Sequence, residues 1–421
     1  MLESTESLLP APKPGELLKV LCVGEAEESM DELDRLLQTL GVKPAGRVLM
    51  TSRTVSPATY VGRGKLDQIK LEMEKTGAKA VIFDVELSPN QLRNVEKILA
   101  LPVLDRPGVI IEIFSRHART KESKTQVELA RLQYLYPRLA HFWDHFERQG
   151  GGGSGGRGMG ERQIEVDRRL VKDRIGILRV RLKDIEKERQ VQRAGRRDVL
   201  KVALVGYTNA GKSTLLNALT QSEVRAEDKL FATLDSSVRT LDPNSHPPIV
   251  AIDTVGFIRR LPPSLVASFR STLEELHQAD LLLHVVDASS AQAREELEVT
   301  EDILKELGVE EKPRIVVLNK ADRLTTPAAR NQARLVAPGS LSVSAIQAED
   351  VVRLRDHILD YFRKKLELWE VMIPYAESRL EAQLYAHGSV ETVRHLEKGT
   401  FYRVRIEEGW ARKLDLSRYR L

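Results

Sequence analysis

Residues 201–214, KVALVGYTNAGKST, decide the reading of this chain. An apolar run suited to a buried strand leads into Gly206, Tyr207, Thr208, Asn209, Ala210, Gly211, Lys212 and Ser213, and STLLNALT beyond has helical spacing. Strand, glycine-framed loop and helix in that order satisfy G-x-x-x-x-G-K-S, a phosphate-binding loop. The glycines let backbone N–H groups curl around phosphate oxygens at a helix N-terminus; Lys212 is placed to reach the β and γ oxygens, and Ser213 can ligate Mg2+. A turn that only joined strand to helix would have no use for the Lys-Ser pair.

Outward from that loop, apolar strands are expected at 248–253 (PIVAID), 280–288 (DLLLHVVDA), 314–320 (RIVVLNK) and 339–345 (GSLSVSA), with helices between. The pattern predicts a doubly wound, mostly parallel α/β sheet over 199–366. Asp253, Thr254, Val255 and Gly256 end the first of these strands: the carboxylate can support a metal through water, and the glycine N–H can meet a γ-phosphate. Asn319, Lys320, Ala321 and Asp322 end another. A carboxylate at Asp322 can accept from both N1–H and the exocyclic amine of guanine, a donor pair that adenine lacks. Ser344 and Ala345 supply a backbone N–H for the guanine O6.

In order and spacing these segments resemble the G1, G3, G4 and G5 elements of translation-factor-like GTPases. The resemblance implies a switch threonine between the first two that closes over the γ-phosphate as a second Mg2+ ligand. Thr220, Thr233 and Thr240 are the candidates. Thr233 lies in LFATLDSS before the strand SVRTLDP and is taken as the ligand, with Phe231, Ala232, Leu234 and Asp235 as its neighbours at the nucleotide; Thr240 lies within the strand and is expected to pack. The expected nucleotide site is thus 206–214 including Thr214, 231–235, 253–256, 319–322 and 344–345, with Lys212, Thr233, Gly256 and Asn209 as the catalytic set.

Phe257 stands where many GTPases carry the glutamine that orients the attacking water. Basal turnover is therefore expected to be slow. Asn209 resembles the asparagine by which K+-activated GTPases hold a monovalent ion, making K+ a second candidate cofactor beside Mg2+; a partner surface that orders the switches is the other source of help.

Elsewhere the chain alternates more simply. Residues 1–18 read as a disordered lead without the basic start and apolar run of a signal peptide, and a cytoplasmic protein is expected. Cys22 is the sole cysteine, so no intrachain disulfide can form. Over 19–106, LKVLCVG, RVLMTS and AVIFDV read as strands, with SMDELDRLLQTLG and SPNQLRNVEKILA as helices, a small α/β domain. Its GRGK (62–65) has the wrong spacing for a phosphate loop. Residues 107–198 read as a long helical hairpin: Leu132, Leu135, Leu139, Phe142 and Phe146 on one arm with a kink at Pro137, Ile164, Val171, Ile175, Leu178, Leu182 and Ile185 on the other, and a glycine-rich loop at 149–161. A small α+β domain is expected over 367–421, with VMIPY, SVETVRHLE and TFYRVRIE as strands and ESRLEAQLYAHG as a helix.

The net charge is +4, yet residues 116–198 carry 21 Lys+Arg against 12 Asp+Glu, so the rest of the chain is acidic by about five charges. A basic excess confined to the hairpin suits contact with a phosphate backbone. Arg157, Arg162, Arg168 and Arg169 are the candidate RNA contacts.

The order of parts, with TQVELARLQYLYPRL and GERQIEVDRRLVKDRI linking them, is similar to the HflX family of ribosome-associated GTPases, over nearly the whole chain from about residue 19. The resemblance implies GTP and GDP as ligands and the large (50S) ribosomal subunit with its RNA as partner. It also implies splitting or rescue of stalled ribosomes under stress, with hydrolysis stimulated by ribosomes. No DNA contact and no integral membrane association are expected, and a monomer is. A signalling GTPase acting on a protein partner, or an assembly or RNA-processing GTPase, is the alternative.

Overall fold

The computed structural model describes residues 7–10, 16–50, 55–139, 157–194, 199–220, 230–231, 237–242, 245, 247–260, 262, 265 and 275–421, and the side chains of 165–188 within the helix that spans 157–194. By packing the chain divides into two units, one of Met1–Glu188, Asp228–Asp235 and Arg260–Ser271, the other of Arg189–Glu227, Ser236–Arg259 and Thr272–Leu421.

The first unit opens with β1 (Lys19–Gly24), α1 (Glu27–Thr39), β2 (Lys43–Leu49), α2 (Arg63–Thr76), β3 (Ala80–Phe83), α3 (Pro89–Leu99) and β4 (Val103–Asp105). The four strands form one parallel sheet in the order β2-β1-β3-β4. Strand β3, AVIF, is buried throughout, as a strand covered on both faces by crossover helices must be. Helix α3 begins where its sequence says: Ser88 and Gln91 form a reciprocal capping box around Pro89. GRGK opens α2, and Lys65 Nζ donates to the Leu49 carbonyl (2.8 Å), a structural use in keeping with its unsuitable spacing.

Helix α4 (Arg106–His117) departs from expectation. The sequence reading gives it to the hairpin, but Arg106 through Phe114 are all buried, and it packs against both α1 of the α/β domain and α5 of the hairpin, so it joins the two. The run VIIEIF is too apolar for an arm with one solvated side. The hairpin begins with α5 (Lys121–Leu135), capped by the Thr120 side chain, which accepts from the Ser123 N–H. It ends in a 3-10 turn over Tyr136–Arg138 that contains Pro137. The second arm is α6 (Arg157–Ala194), which starts inside the expected loop 149–161. Leu129, Leu132 and Leu139 pack against Val171, Ile175 and Leu178, with Leu182 alongside, which forms part of the expected seam; Leu135 is buried but outside that cluster. Ile185 is half-buried and outside that cluster. Phe142, Phe146, the side chain of Ile164 and residues 149–156 lie outside the described residues.

In the second unit, β5 (Leu200–Gly206), α7 (Lys212–Leu219), β6 (Ser237–Asp242), β7 (Ile249–Asp253), β8 (Leu281–Asp287), α8 (Ala293–Glu306), β9 (Arg314–Asn319), α9 (Pro327–Val336), β10 (Leu341–Ser342) and α10 (Ala348–Lys365) build a six-stranded sheet. Its order is β10-β9-β8-β5-β7-β6, and only the edge pair β6·β7 is antiparallel. Thr240 does not pack as expected: on the edge strand β6 it points outward and is exposed, like Val238. Thr220 ends α7, its hydroxyl bound to the Leu216 carbonyl (2.8 Å).

The tail adds β11 (Glu367–Ile373), α11 (Ser378–His387), β12 (Gly388–Leu396), β13 (Gly399–Ile406) and α12 (Glu408–Lys413), an antiparallel sheet in the order β11-β13-β12. Val371, Ile373, Tyr402, Val404 and Ile406 face Leu384 and Ala411 in its own small core. Among the described residues no helix is long and apolar enough to cross a membrane.

Candidate nucleotide site

The phosphate loop is shaped by backbone demands that only particular residues meet. Gly206 has φ 148°, and a Cβ there would lie 2.1 Å from the Val285 carbonyl oxygen on neighbouring β8, so no side chain fits. Gly211 has φ 89° at the N-cap of α7, where a Cβ would meet the Asn319 amide at 2.3 Å. Asn209 is left-handed, with φ 62°. Asparagine tolerates that conformation better than most residues.

Around this loop the distant sequence elements converge. Lys212, 6% exposed, donates from Nζ to the carbonyls of Gly206 (3.0 Å) and Tyr207 (2.8 Å). Burial pulls its pKa down to about 8, with Asp253 opposing. Ser213 Oγ donates to Asp253 Oδ2 (2.7 Å), which places a hydroxyl and a carboxylate at the mouth of the loop. Thr254 turns away, its hydroxyl on the Leu204 carbonyl (2.6 Å), and braces β7 against β5. Gly256 is pressed to the loop: a Cβ there would be 2.8 Å from Thr208 Cα and 3.0 Å from Lys212 Nζ. Val255 is buried beside it, and Thr214 is half-buried on the first turn of α7.

Residues 319–322 and 344–345 are tied to the same loop. Asn319 donates to the Ala210 carbonyl (2.8 Å) and accepts from the Ala345 N–H (3.2 Å), bridging three motifs with one side chain. Lys320 Nζ donates to the Asn209 carbonyl (2.8 Å) and pairs with Asp287 (2.7 Å). Asp322 is exposed, accepts from Ser344 Oγ (2.5 Å) and can turn its remaining acceptor capacity to a base. Asp350, which sequence reading missed, accepts from the Ser344 N–H (2.8 Å) and fixes that turn; as a carboxylate on the first turn of a helix it carried no distinctive signal.

Phe231 is buried in the first unit, its ring edge-on to Phe114 with centroids 4.6 Å apart, so its side chain serves packing. Ala232, Thr233, Leu234 and Asp235 lie outside the described residues. Arg168 and Arg169 are exposed on α6; Arg157 and Arg162 belong to that helix, with side chains outside the described set.

The described pieces converge on a pre-shaped cradle for a purine nucleotide. Three regions of the chain match known GTPase domains: 27–115 the GTP-binding GTPase N-terminal family, 117–196 the GTP-binding GTPase middle region, and 201–320 the family described as 50S ribosome-binding GTPase. GTPase HflX of Gluconacetobacter diazotrophicus is 42% identical over 90% of this chain and 91% of its own length. This chain belongs to the HflX family of GTPases. GTPase HflX of Escherichia coli is 40% identical over 86% of both chains. A crystal structure of a GTP-binding protein from Sulfolobus solfataricus in complex with GDP aligns with 82% of this chain and 99% of its own, at 25% identity and a TM-score of 0.43.

As an HflX GTPase the chain binds GTP and GDP and hydrolyses GTP to GDP and phosphate. GTPases generally use Mg2+, and the residues fit it. The Ser213 hydroxyl and the Asp253 carboxylate stand 2.7 Å apart beside the lysine. Such a pair suits a hard cation that keeps several waters and takes phosphate oxygens for the rest. Among the described residues no cluster of three carboxylate, thiol or imidazole ligands exists that would hold a metal without the nucleotide.

Proposed function

We propose that this GTPase acts on the large ribosomal subunit, using GTP binding and hydrolysis to split or rescue stalled ribosomes in the cytoplasm under stress. The observation that carries this reading is the second arm of the hairpin. Helix α6 runs for 38 residues, with Val171, Ile175, Leu178 and Leu182 sealed in an apolar seam. At the rise of an α-helix that is a rod on the order of 57 Å long. Its outer surface exposes Arg168, Arg169, Arg179, Arg181 and Lys183, cations suited to an RNA backbone. The name of the family matched by 201–320, 50S ribosome-binding GTPase, supports the same partner.

In this reading Lys212 and the loop amides grip the phosphates, and Ser213 with Thr233 holds Mg2+, Asp253 assisting through water. Gly256 senses the γ-phosphate, and Asp322 with Ala345 selects guanine. GTP favours the state that holds the subunit, and hydrolysis releases it. Slow basal turnover follows from Phe257, with Asn209 and K+, or the ribosome, supplying what that residue lacks. The protein acts as a monomer.

The test is GTP hydrolysis in K+ and in Na+, with and without purified large subunits. Strong stimulation by subunits is expected, together with a loss of that stimulation in Arg168→Glu/Arg169→Glu at an unaltered basal rate. Inert subunits, at any salt concentration, defeat the reading.

A further inference from the structure

The phosphate loop and the segment after β7 are zipped together. Tyr207 and Phe257 form a parallel bridge, in which Phe257 N–H donates to the Gly206 carbonyl (3.1 Å) and Thr208 N–H to the Phe257 carbonyl (2.7 Å). A third bond comes from a side chain: the Arg259 N–H donates to the Tyr207 hydroxyl oxygen (2.9 Å). Nothing in G-x-x-x-x-G-K-S requires a tyrosine at its second position.

Residues 254–260 belong to no helix or extended strand, so apart from the single bridge at Phe257 their amides have no ladder to satisfy them and must find partners elsewhere. Phe257 and Ile258 are 1% and 0% exposed, which leaves this stretch little room to solvate its backbone. The tyrosine oxygen meets that need for Arg259. It does so at the last residue before the chain turns through a left-handed Arg260 (φ 54°) and passes from the second packing unit to the first.

We propose that Tyr207 is a positioning residue for GTP hydrolysis: its phenol oxygen fixes the register of the segment after Asp253, holding Phe257 in the core and the Gly256 backbone against the phosphate loop. Two geometric facts make register decisive. The Gly256 backbone has no slack, since even a Cβ would lie 2.8 Å from Thr208 Cα. Phe257 follows immediately, and a slip would swing its ring toward the space where the attacking water must stand. A glutamine there could turn outward usefully; a phenylalanine has to be kept in. The Arg259 guanidinium is paired separately with Glu295 on α8, which holds the side chain and leaves the backbone to Tyr207.

The experiment uses the full chain without ribosomes. Tyr207→Phe removes one oxygen and should lower kcat for GTP about tenfold, less than the roughly 100-fold that a misplacement of about 1 Å can cost. KM, GDP affinity and Tm should stay within error of the parent, and amide exchange should accelerate at 257–260 with 202–206 unchanged. Arg259→Pro removes the donated N–H and leaves the phenol in place, so its kcat loss should match that of Tyr207→Phe and not add to it in the double variant. Arg259→Ala, which keeps the N–H, should retain parental kcat. An unchanged kcat in Tyr207→Phe overturns the proposal. So does an additive double variant, or a kcat loss accompanied by an equal loss of GDP affinity, which would mark general damage to the loop.

Discussion

Each of the two larger sheets places acidic residues at or just beyond the C-terminal ends of its strands, and Asp84 and Asp105 of the first are held differently from Asp253 of the second. In the first unit Asp84 follows β3 and pairs with Arg106 (2.6 Å), itself 1% exposed and also bonded to Glu32. Asp105, ending β4, accepts from the Tyr134 hydroxyl (2.8 Å), the Gly108 N–H (3.0 Å), the Leu87 N–H (3.2 Å) and Arg138 (3.1 Å). Burial alone would push the Arg106 guanidinium toward neutrality, but Glu32 and Asp84 raise its pKa above the ordinary arginine value. Both aspartates there are met by a fixed charge of opposite sign. In the second unit Asp253 meets a serine hydroxyl, and Lys212 meets two carbonyls and is 6% exposed. Partners of that kind can be exchanged for phosphate and metal at little cost. Asp84 and Asp105 are locked to buried arginines, as Asp287 is to Lys320, whereas Lys212 and Asp253, the groups suited to phosphate and metal, hydrogen-bond two carbonyls and a hydroxyl.

The comparison breaks first at the guanine end. Asp322→Asn replaces the acceptor pair with an amide that cannot take both donors, and GTP affinity should fall by roughly 10⁴-fold, the scale seen when a site built to hydrogen-bond a substrate loses its complement. Xanthosine diphosphate should bind the variant better than GDP does, as read by titration calorimetry. Equal GDP affinity in variant and parent would remove Asp322 from the site.

Arg106→Ala tests the buried pair with Asp84. It strands Asp84 without its buried counter-charge and should destabilise the first unit by about 3–5 kcal/mol in denaturant unfolding. GDP affinity of the folded fraction should be unaltered; a loss of GDP binding would mean that the first sheet contributes to the nucleotide site.

A third measurement uses His284, fully buried on β8, neither of whose ring nitrogens has a hydrogen-bond partner among the described residues. Burial first, then the charges of Arg314 and Lys212, drives its pKa down to about 3. The folded state therefore refuses a proton that the unfolded chain accepts near pH 6.5. This part of the stability is present above that pH and is lost as pH falls toward 3, amounting to about 2–3 kcal/mol by pH 4.5. His284→Leu should flatten the fall of Tm between pH 6.5 and 4.5, and an unchanged slope would assign acid sensitivity to other groups.

The smallest effect sharpens the contrast most. Lys212 titrates near pH 8 when the site holds only protein partners, whereas bound phosphates favour its charged form. GDP binding must then recruit a proton above pH 8, and affinity should drop about fivefold between pH 8 and 9. A pH-independent affinity would show that Lys212 stays charged throughout.

Much of this was legible from the residues in order. G-x-x-x-x-G-K-S, the aspartate before Gly256, the NKAD segment and the α6 heptads are local patterns whose spacing follows from strand and helix periods, and the observed strands and helices carry them at those positions. GTP as the nucleotide was read from the same local segments, and membership of the GTPase family bears it out. What tertiary packing decided was the fate of residues whose type is ambiguous. Helix α4 looks like a hairpin arm until its apolar run is seen packed between α1 and α5. Thr240 looks like a packed strand residue until β6 proves to be the sheet edge. Asn319 as a bridge of three motifs, Asp350 behind Ser344 and the Tyr207 hydroxyl beneath Arg259 join residues up to 109 positions apart. No local period encodes such pairs, because hydrogen-bond partners are chosen by proximity in the folded core, where an unsatisfied polar group is costly.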